Sequence, residues 1–183
     1  MIEKLIFLTL LVLSVFFNSC TSTPDETVKP QIINGSFEKG LTYWSEQSWS
    51  PKSKITVTRT DSKHGSISVV IESLAKANDV RLIQPLIVEQ DTSYRISGWI
   101  KVKNVKLDEH FRPFGAHFAI EDLQKTELIG NTPPLTGTTD WTYVTCDFNT
   151  GKRNFIKIEV CLGTYNGVCT GKAWFDDIKI VEN

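Results

Sequence analysis

In the stretch GKAWFDDIKI, residues 171–180, two aspartates stand side by side inside what reads as a β-strand. Side chains alternate between the two faces of a strand. Asp176 therefore falls with Trp174, Ile178 and Ile180, and Asp177 with Phe175, Lys179 and Val181. The more apolar set is expected to face a core, with Trp174 inside it. A carboxylate buried there must accept hydrogen bonds, pair with a cation such as Lys39, or bind a metal ion.

Little else in the chain has the spacing of reactive chemistry. Cys146, Cys161 and Cys169 form no CxxC and no Cys/His pattern suited to zinc, and the three histidines supply no base motif for a thiol nucleophile. There is no serine elbow and no phosphate loop. No pair of carboxylates can be singled out for glycoside hydrolysis. The Asp108–Glu109–His110 cluster sits in a charged loop and reads as solvated. The expectation is a non-catalytic protein. Cys161 and Cys169 flank the loop LGTYNGV and are expected to form a disulfide in an oxidising compartment. Cys146 alternates with Val144 and Phe148 and is expected in the core.

The elements that must position these residues are short strands. The 183 residues are 40% hydrophobic and 22% charged, with net charge −1. That suits one domain with a full core. No basic stripe exists, so nucleic acid is not an expected partner. After residue 30, strands are expected at 31–34, 54–60, 66–73, 79–89, 92–103, 113–121, 140–149, 153–163 and 172–182. DLQKTEL is the one short helical possibility. Alternation is clear in YRISGWIKV, FGAHFAIE and FIKIEVCL. One buried and one wet face per strand marks an antiparallel β-sandwich, here all-β and jelly-roll-like.

The first segment lies outside that fold. Lys4 precedes an apolar run from Leu5 to Phe17, too short to span a bilayer comfortably, and Asn18, Ser19 and Cys20 follow. Residues 1–19 read as a signal peptide of lipoprotein type. Cys20 would be lipidated, and residues 20–30 would form a flexible tether. The alternative is a plainly secreted protein. The expected location is the bacterial cell envelope, lipid-anchored and extracytoplasmic, with the protein a monomer.

Four stretches in order carry a family resemblance: INGSFEKGLTYW (33–44), TSYRISGWIKV (92–102), TTDWTYVTCDF (138–148) and GKAWFDDIKI. Together they resemble carbohydrate-binding modules of the CenC type, families 4, 9 and 22, over residues 31–183. The resemblance implies a galactose-binding-like jelly roll with a structural calcium ion and a glycan cleft on the concave sheet. It brings Glu38 of the opening motif beside Asp176 of the closing one. Calcium would then take both carboxylates and carbonyl oxygens from Ser36 and near Lys63. Such modules are commonly attached to glycoside hydrolases.

Sugar rings stack on aromatics through their apolar faces, while their hydroxyls need polar partners. Trp99 is the first candidate, on the wet face of its strand with Arg95 and Lys101. His117 and Glu121, Tyr143, and Arg81 are candidates on three further strands. Trp44 and Trp141 are expected in the core, and Trp49 either at a rim or covering a sheet edge. Residues 74–79 lack the cleft tryptophan of xylan-binding relatives. The expected function is glycan binding. The competing expectation is a structural or protein-interaction lipoprotein.

Overall fold

A computed structural model of the protein describes residues 29–48, 53–74, 80–108, 110, 114–164 and 168–183. The signal segment, Cys20, most of the tether and Trp49 lie outside the described residues.

Ten strands run in order: β1 (Ser45–Ser48), β2 (Ser53–Thr58), β3 (Ser68–Ser73), β4 (Val80–Ile87), β5 (Ser93–Leu107), β6 (Ala116–Asp122), β7 (Leu128–Asn131), β8 (Gly137–Asn149), β9 (Phe155–Leu162) and β10 (Cys169–Glu182). They form two five-stranded antiparallel sheets, β1-β4-β9-β6-β7 and β2-β3-β10-β5-β8. The first is the front sheet and the second the back sheet. No helix occurs among the described residues, and DLQKTEL forms a turn leading into β7. Asp122 organises that turn by accepting the N–H groups of Gln124 and Lys125.

The core follows from alternation. Tyr94, Ile96, Ile100 and Val102 of β5 face Phe118 and Ile120 of β6 and the Ile156, Ile158, Val160, Leu162 series of β9. Phe118 and Phe175 meet across the two sheets, with ring centroids 5.9 Å apart. Gly98 belongs to the inward series, because a Cβ there would lie 2.7 Å from the Phe118 ring.

Residues 31–34 do not form a strand; the opening segment is a chain of turns. Three groups fix it. Phe37 and Trp44 are buried in the core with rings 5.4 Å apart. The buried Gln84 amide accepts the Ile33 N–H and donates to the Ile33 and Tyr43 carbonyls, so a core-facing polar group is fully used. Gly35 touches the closing strand: its carbonyl accepts the Ile178 N–H at 3.0 Å, and a Cβ on Gly35 would lie 2.1 Å from the Ile178 carbonyl oxygen. Only glycine permits that approach.

The closing strand also carries a correction. Its register with β5 shifts between Asp176 and Lys179, where Asp177 has φ 51°. This bulge turns Ile178 and Ile180 inward, while Trp174 and Asp176 stay on the outer face, directly opposite Lys101 and Trp99. Trp174 is thus half-buried outside the core. Trp141 is likewise half-buried on the outer side, donating from Nε1 to Asp61 at 3.1 Å.

The cysteines differ from expectation too. Cys161 and Cys169 are not joined by a disulfide and lie in different sheets, Cys161 on the outer side of β9 and Cys169 within the core cluster. Burial pushes the Cys169 thiol up to about 12, which leaves it inert at neutral pH. Cys146 is half-buried against the core, as its alternation implies.

Candidate functional site

The six candidate sugar-contact residues divide between opposite faces of the sandwich. Trp99, Tyr143 and Arg95 lie on the outer face of the back sheet. Arg81, His117 and Glu121 lie on the outer face of the front sheet. Alternation gives each strand a wet face, but it does not say to which sheet that face belongs.

On the front sheet the register builds a ladder of outward residues. Arg81, Cys161 and His117 form one cross-strand row; Ile83, Glu159 and Ala119 the next; Pro85, Lys157 and Glu121 the third; Ile87 and Phe155 the fourth. Four charged residues of this ladder close a ring. Arg81 lies 2.6 Å from Glu159 and 3.4 Å from Glu121, and Lys157 lies 2.9 Å from each of the same two carboxylates. The side chains are only 13% (Arg81), 1% (Glu159), 11% (Lys157) and 16% (Glu121) exposed. Charges on the solvent side of a sheet are normally wet, so this face is recessed. Burial works to lower the Lys157 pKa, but Glu159 and Glu121 outweigh it, and the ammonium is held above its ordinary value.

His117 is 1% exposed; its Nδ1 lies 3.1 Å from the Gly115 carbonyl and its ring 5.5 Å from Phe114. At the other end of the ladder Phe155 and Ile87 are exposed, and Leu128 on β7 is exposed opposite Glu121. Phe155, Lys157 and Glu159 share one face of β9, so an exposed aromatic ring stands in line with the charged ring. The alternation of FIKIEVCL already placed Phe155, Lys157 and Glu159 together on the wet face. What singles them out is the cross-strand register to Arg81 and Glu121, which one strand does not reveal.

The back-sheet group is built differently. The Trp99 and Tyr143 rings are 5.2 Å apart, and Tyr143 is exposed. The Lys63 ammonium lies 4.0 Å over the Trp99 ring, and the His64 ring is 6.3 Å away. One face of Trp99 is therefore already occupied by a cation. Arg95 makes a two-pronged pair with its cross-strand neighbour Asp147 at 2.6 and 2.9 Å. Its fork is used within the protein.

Beneath that face lies Asp176. It is fully buried, not by the core but under the 63–64 turn. Its Oδ2 accepts the Lys63 and His64 N–H groups at 2.8 and 2.9 Å, and its Oδ1 accepts the Asp177 N–H at 2.7 Å. Burial raises its pKa more than these three bonds lower it. Glu38 grips the same turn from the other side, its Oε1 accepting the Ser66 and Ile67 N–H groups at 2.8 and 2.9 Å. Gly65 makes room for it, since a Cβ there would lie 2.4 Å from Glu38 Oε1. The two ends of the chain do meet, through one turn that both carboxylates hold. The partners of Asp176 are these backbone N–H groups and not the Lys39 ammonium. Among the described residues no group of three or more His, Cys, Asp or Glu side chains is placed to hold a metal ion.

The fold has relatives. It is similar to TmCBM61, solved in complex with beta-1,4-galactotriose, with TM-score 0.58 and 17% identity over 83% of this chain and 97% of that one. It is similar to a family 4 carbohydrate-binding module with TM-score 0.54 and 16% identity, over 83% and 99%. It is also similar to the enzymatically active domain of tailspike protein 4 of bacteriophage CBA120, with TM-score 0.59 and 12% identity; 83% of this chain matches, but only 21% of that one. At these identities the likeness is one of fold. No curated protein matches the chain. The model of the family described as "Carbohydrate binding domain" matches residues 29–166, most of the described sandwich. The chain belongs to that family of carbohydrate-binding domains.

Proposed function

We propose that the protein binds a neutral glycan along the outer face of its front sheet. The observation that carries this is the ring of Arg81, Glu159, Lys157 and Glu121 in line with the exposed Phe155. Phe155 offers a ring face for stacking a sugar. Two cations and two carboxylates offer fixed donors and acceptors for hydroxyls, with no net charge. That balance favours an uncharged ligand, because an acidic sugar would meet two carboxylates already seated there. From Phe155 to Cys161 the strand runs roughly 20 Å, which suits several linked sugars rather than one. The relative solved with beta-1,4-galactotriose supplies a first ligand to try. Calorimetric titration with that trisaccharide and other neutral β-linked oligosaccharides tests the reading. Saturable binding lost in Phe155→Ala supports it, and no heat with any of them removes it.

A calcium ion and a lipid anchor complete the proposal. Glu38 and Asp176 would be the ion's carboxylate ligands, with carbonyl oxygens of Ser36 and Lys63, as the resemblance implies. Support comes from both carboxylates closing on one turn. The N–H donors on them already hold that turn, so the ion would add to the lock rather than create it. Removing calcium with EGTA should lower the melting temperature slightly; an unchanged curve would rule the ion out. The anchor rests on the apolar run before Cys20. Cys20→Ala should move the protein from the membrane fraction to the soluble one.

A further inference from the structure

We propose a second binding site, for an acidic polysaccharide, on the outer face of the back sheet around Trp174. A cleft of about 610 Å³ opens there, its lining including Trp174, Lys172, Lys103, Lys106, Asn104 and Thr170 and one carboxylate, Glu72. It lies across the sandwich from the front-sheet ring and shares no residue with it.

The charge pattern calls for an anion. Cross-strand register sets Lys54, Glu72, Lys172 and Lys103 in one row over four strands, three cations to one carboxylate. Lys172 and Lys103 stand directly opposite each other, a pairing that destabilises a sheet when nothing offsets it. Glu72 answers Lys172 at 3.1 Å. Lys103 and Lys106 are exposed and make no ion pair with the described residues. Lys101 is already held by Asp61 and Asp140 at 2.9 and 3.4 Å. The unpaired positive charge thus sits on the cleft side.

The backbone is shaped at the same place. β10 shifts register between Thr170 and Lys172, and β5 between Val102 and Val105. The two irregularities interlock: Gly171 has φ 119° and a Cβ there would lie 2.6 Å from the Asn104 carbonyl, while Asn104 itself has φ 55°. Bulges re-aim side chains away from the regular pleat. Here they flank a half-buried tryptophan ring with lysines on both sides, the Nζ atoms of Lys101 and Lys172 each 5.9 Å from its centroid.

A sugar ring that carries a carboxylate or sulfate fits this combination. Its ring face stacks on Trp174, its anionic group meets Lys103 and Lys106, and its hydroxyls meet Asn104 and Thr170. A phospholipid surface would use the lysines but not the aromatic ring within the cleft.

The test is affinity electrophoresis of the whole chain through gels containing polygalacturonate, heparin or a neutral galactan, at low and high salt. Sedimentation with anionic phospholipid vesicles runs beside it. The site predicts retardation by an acidic polymer that high salt removes, weakened about tenfold in Lys103→Gln/Lys106→Gln, where two charged contacts are lost. Trp174→Phe, which keeps a ring, should weaken it less than Trp174→Ala. Phe155→Ala should leave it unchanged, which separates failure of this site from failure of the front-sheet reading. Equal retardation of wild type and the double lysine variant, no retardation by either acidic polymer, or binding to vesicles alone would overturn it.

Discussion

Glu159 carries Arg81 on one carboxylate oxygen at 2.6 Å and Lys157 on the other at 2.9 Å, on a sheet face that alternation assigns to water. A buried ion network seldom improves stability over apolar packing. Its presence on a face that could have been simply apolar or simply wet is the strongest sign that this face has work besides folding. Glu159→Gln should cost about 3 kcal/mol or more, because it leaves two cations sharing Glu121. The paired change Arg81→Met/Glu159→Leu should cost less than Glu159→Gln alone, since no orphaned charge remains. Urea unfolding of the three proteins checks this, and a double variant at least as damaged as the single one would contradict it.

Asp176 is predicted to matter more through its backbone partners than through its charge. Asp176→Ala strands the N–H groups of Lys63, His64 and Asp177 and should cost about 3 kcal/mol or more. Asp176→Asn can keep the two bonds to Lys63 and His64 and should cost about 1 kcal/mol. If asparagine proved as damaging as alanine, the negative charge itself would be the requirement.

Two aspartates should respond to pH with opposite signs. The folded-state pKa of Asp176 is raised by burial, so the folded protein holds that proton more tightly than the unfolded chain. Its contribution falls as pH rises from the unfolded value of 3.8 through the folded value, then stays constant. Asp122 is held low by the N–H groups of Lys125 and Gln124 and by Arg153. Its contribution is present above 3.8 and is lost as pH falls through the folded value. Stability measured against pH for Asp176→Asn and Asp122→Asn should therefore diverge from wild type in opposite directions through the acid range. Parallel curves would sink both assignments.

Gly35→Ala should destabilise by about 2 kcal/mol or more, because the new Cβ would collide with the Ile178 carbonyl. Gly40→Ala is the control within the same segment. Unlike Gly35 it has a positive φ, 63°, and nothing lies within 4 Å of a Cβ there. The thermal melting points of the two variants separate steric contact from backbone strain.

Much of this fold was legible because the long strands alternate strictly. β5, β6 and β9 bury the side chains that their period-2 pattern selects. The opening Asn-Gly and closing Asp-Asp motifs meet, as the resemblance implied. What was not legible has particular causes. β1 and β7, SEQS and LIGN, are too short to show a period. The bulge after Asp176 breaks parity within one strand, so Trp174 and Ile178 point opposite ways although they share it. Alternation selects candidates strand by strand, but a site is made by register between strands. Hence it points to Arg81, His117 and Glu121 without Glu159, Lys157 and Phe155, and does not separate them from Trp99, Tyr143 and Arg95, which lie on the opposite sheet.

The most direct test of the central claim is a calorimetric comparison of Phe155→Ala and Tyr143→Ala, one exposed aromatic on each face, against beta-1,4-galactotriose and a panel of neutral β-linked oligosaccharides. Binding on the front sheet predicts that wild type and Tyr143→Ala bind the same oligosaccharide equally, while Phe155→Ala loses about tenfold or more in affinity. Loss in Tyr143→Ala with Phe155→Ala unaffected would place the glycan on the back sheet and contradict the account.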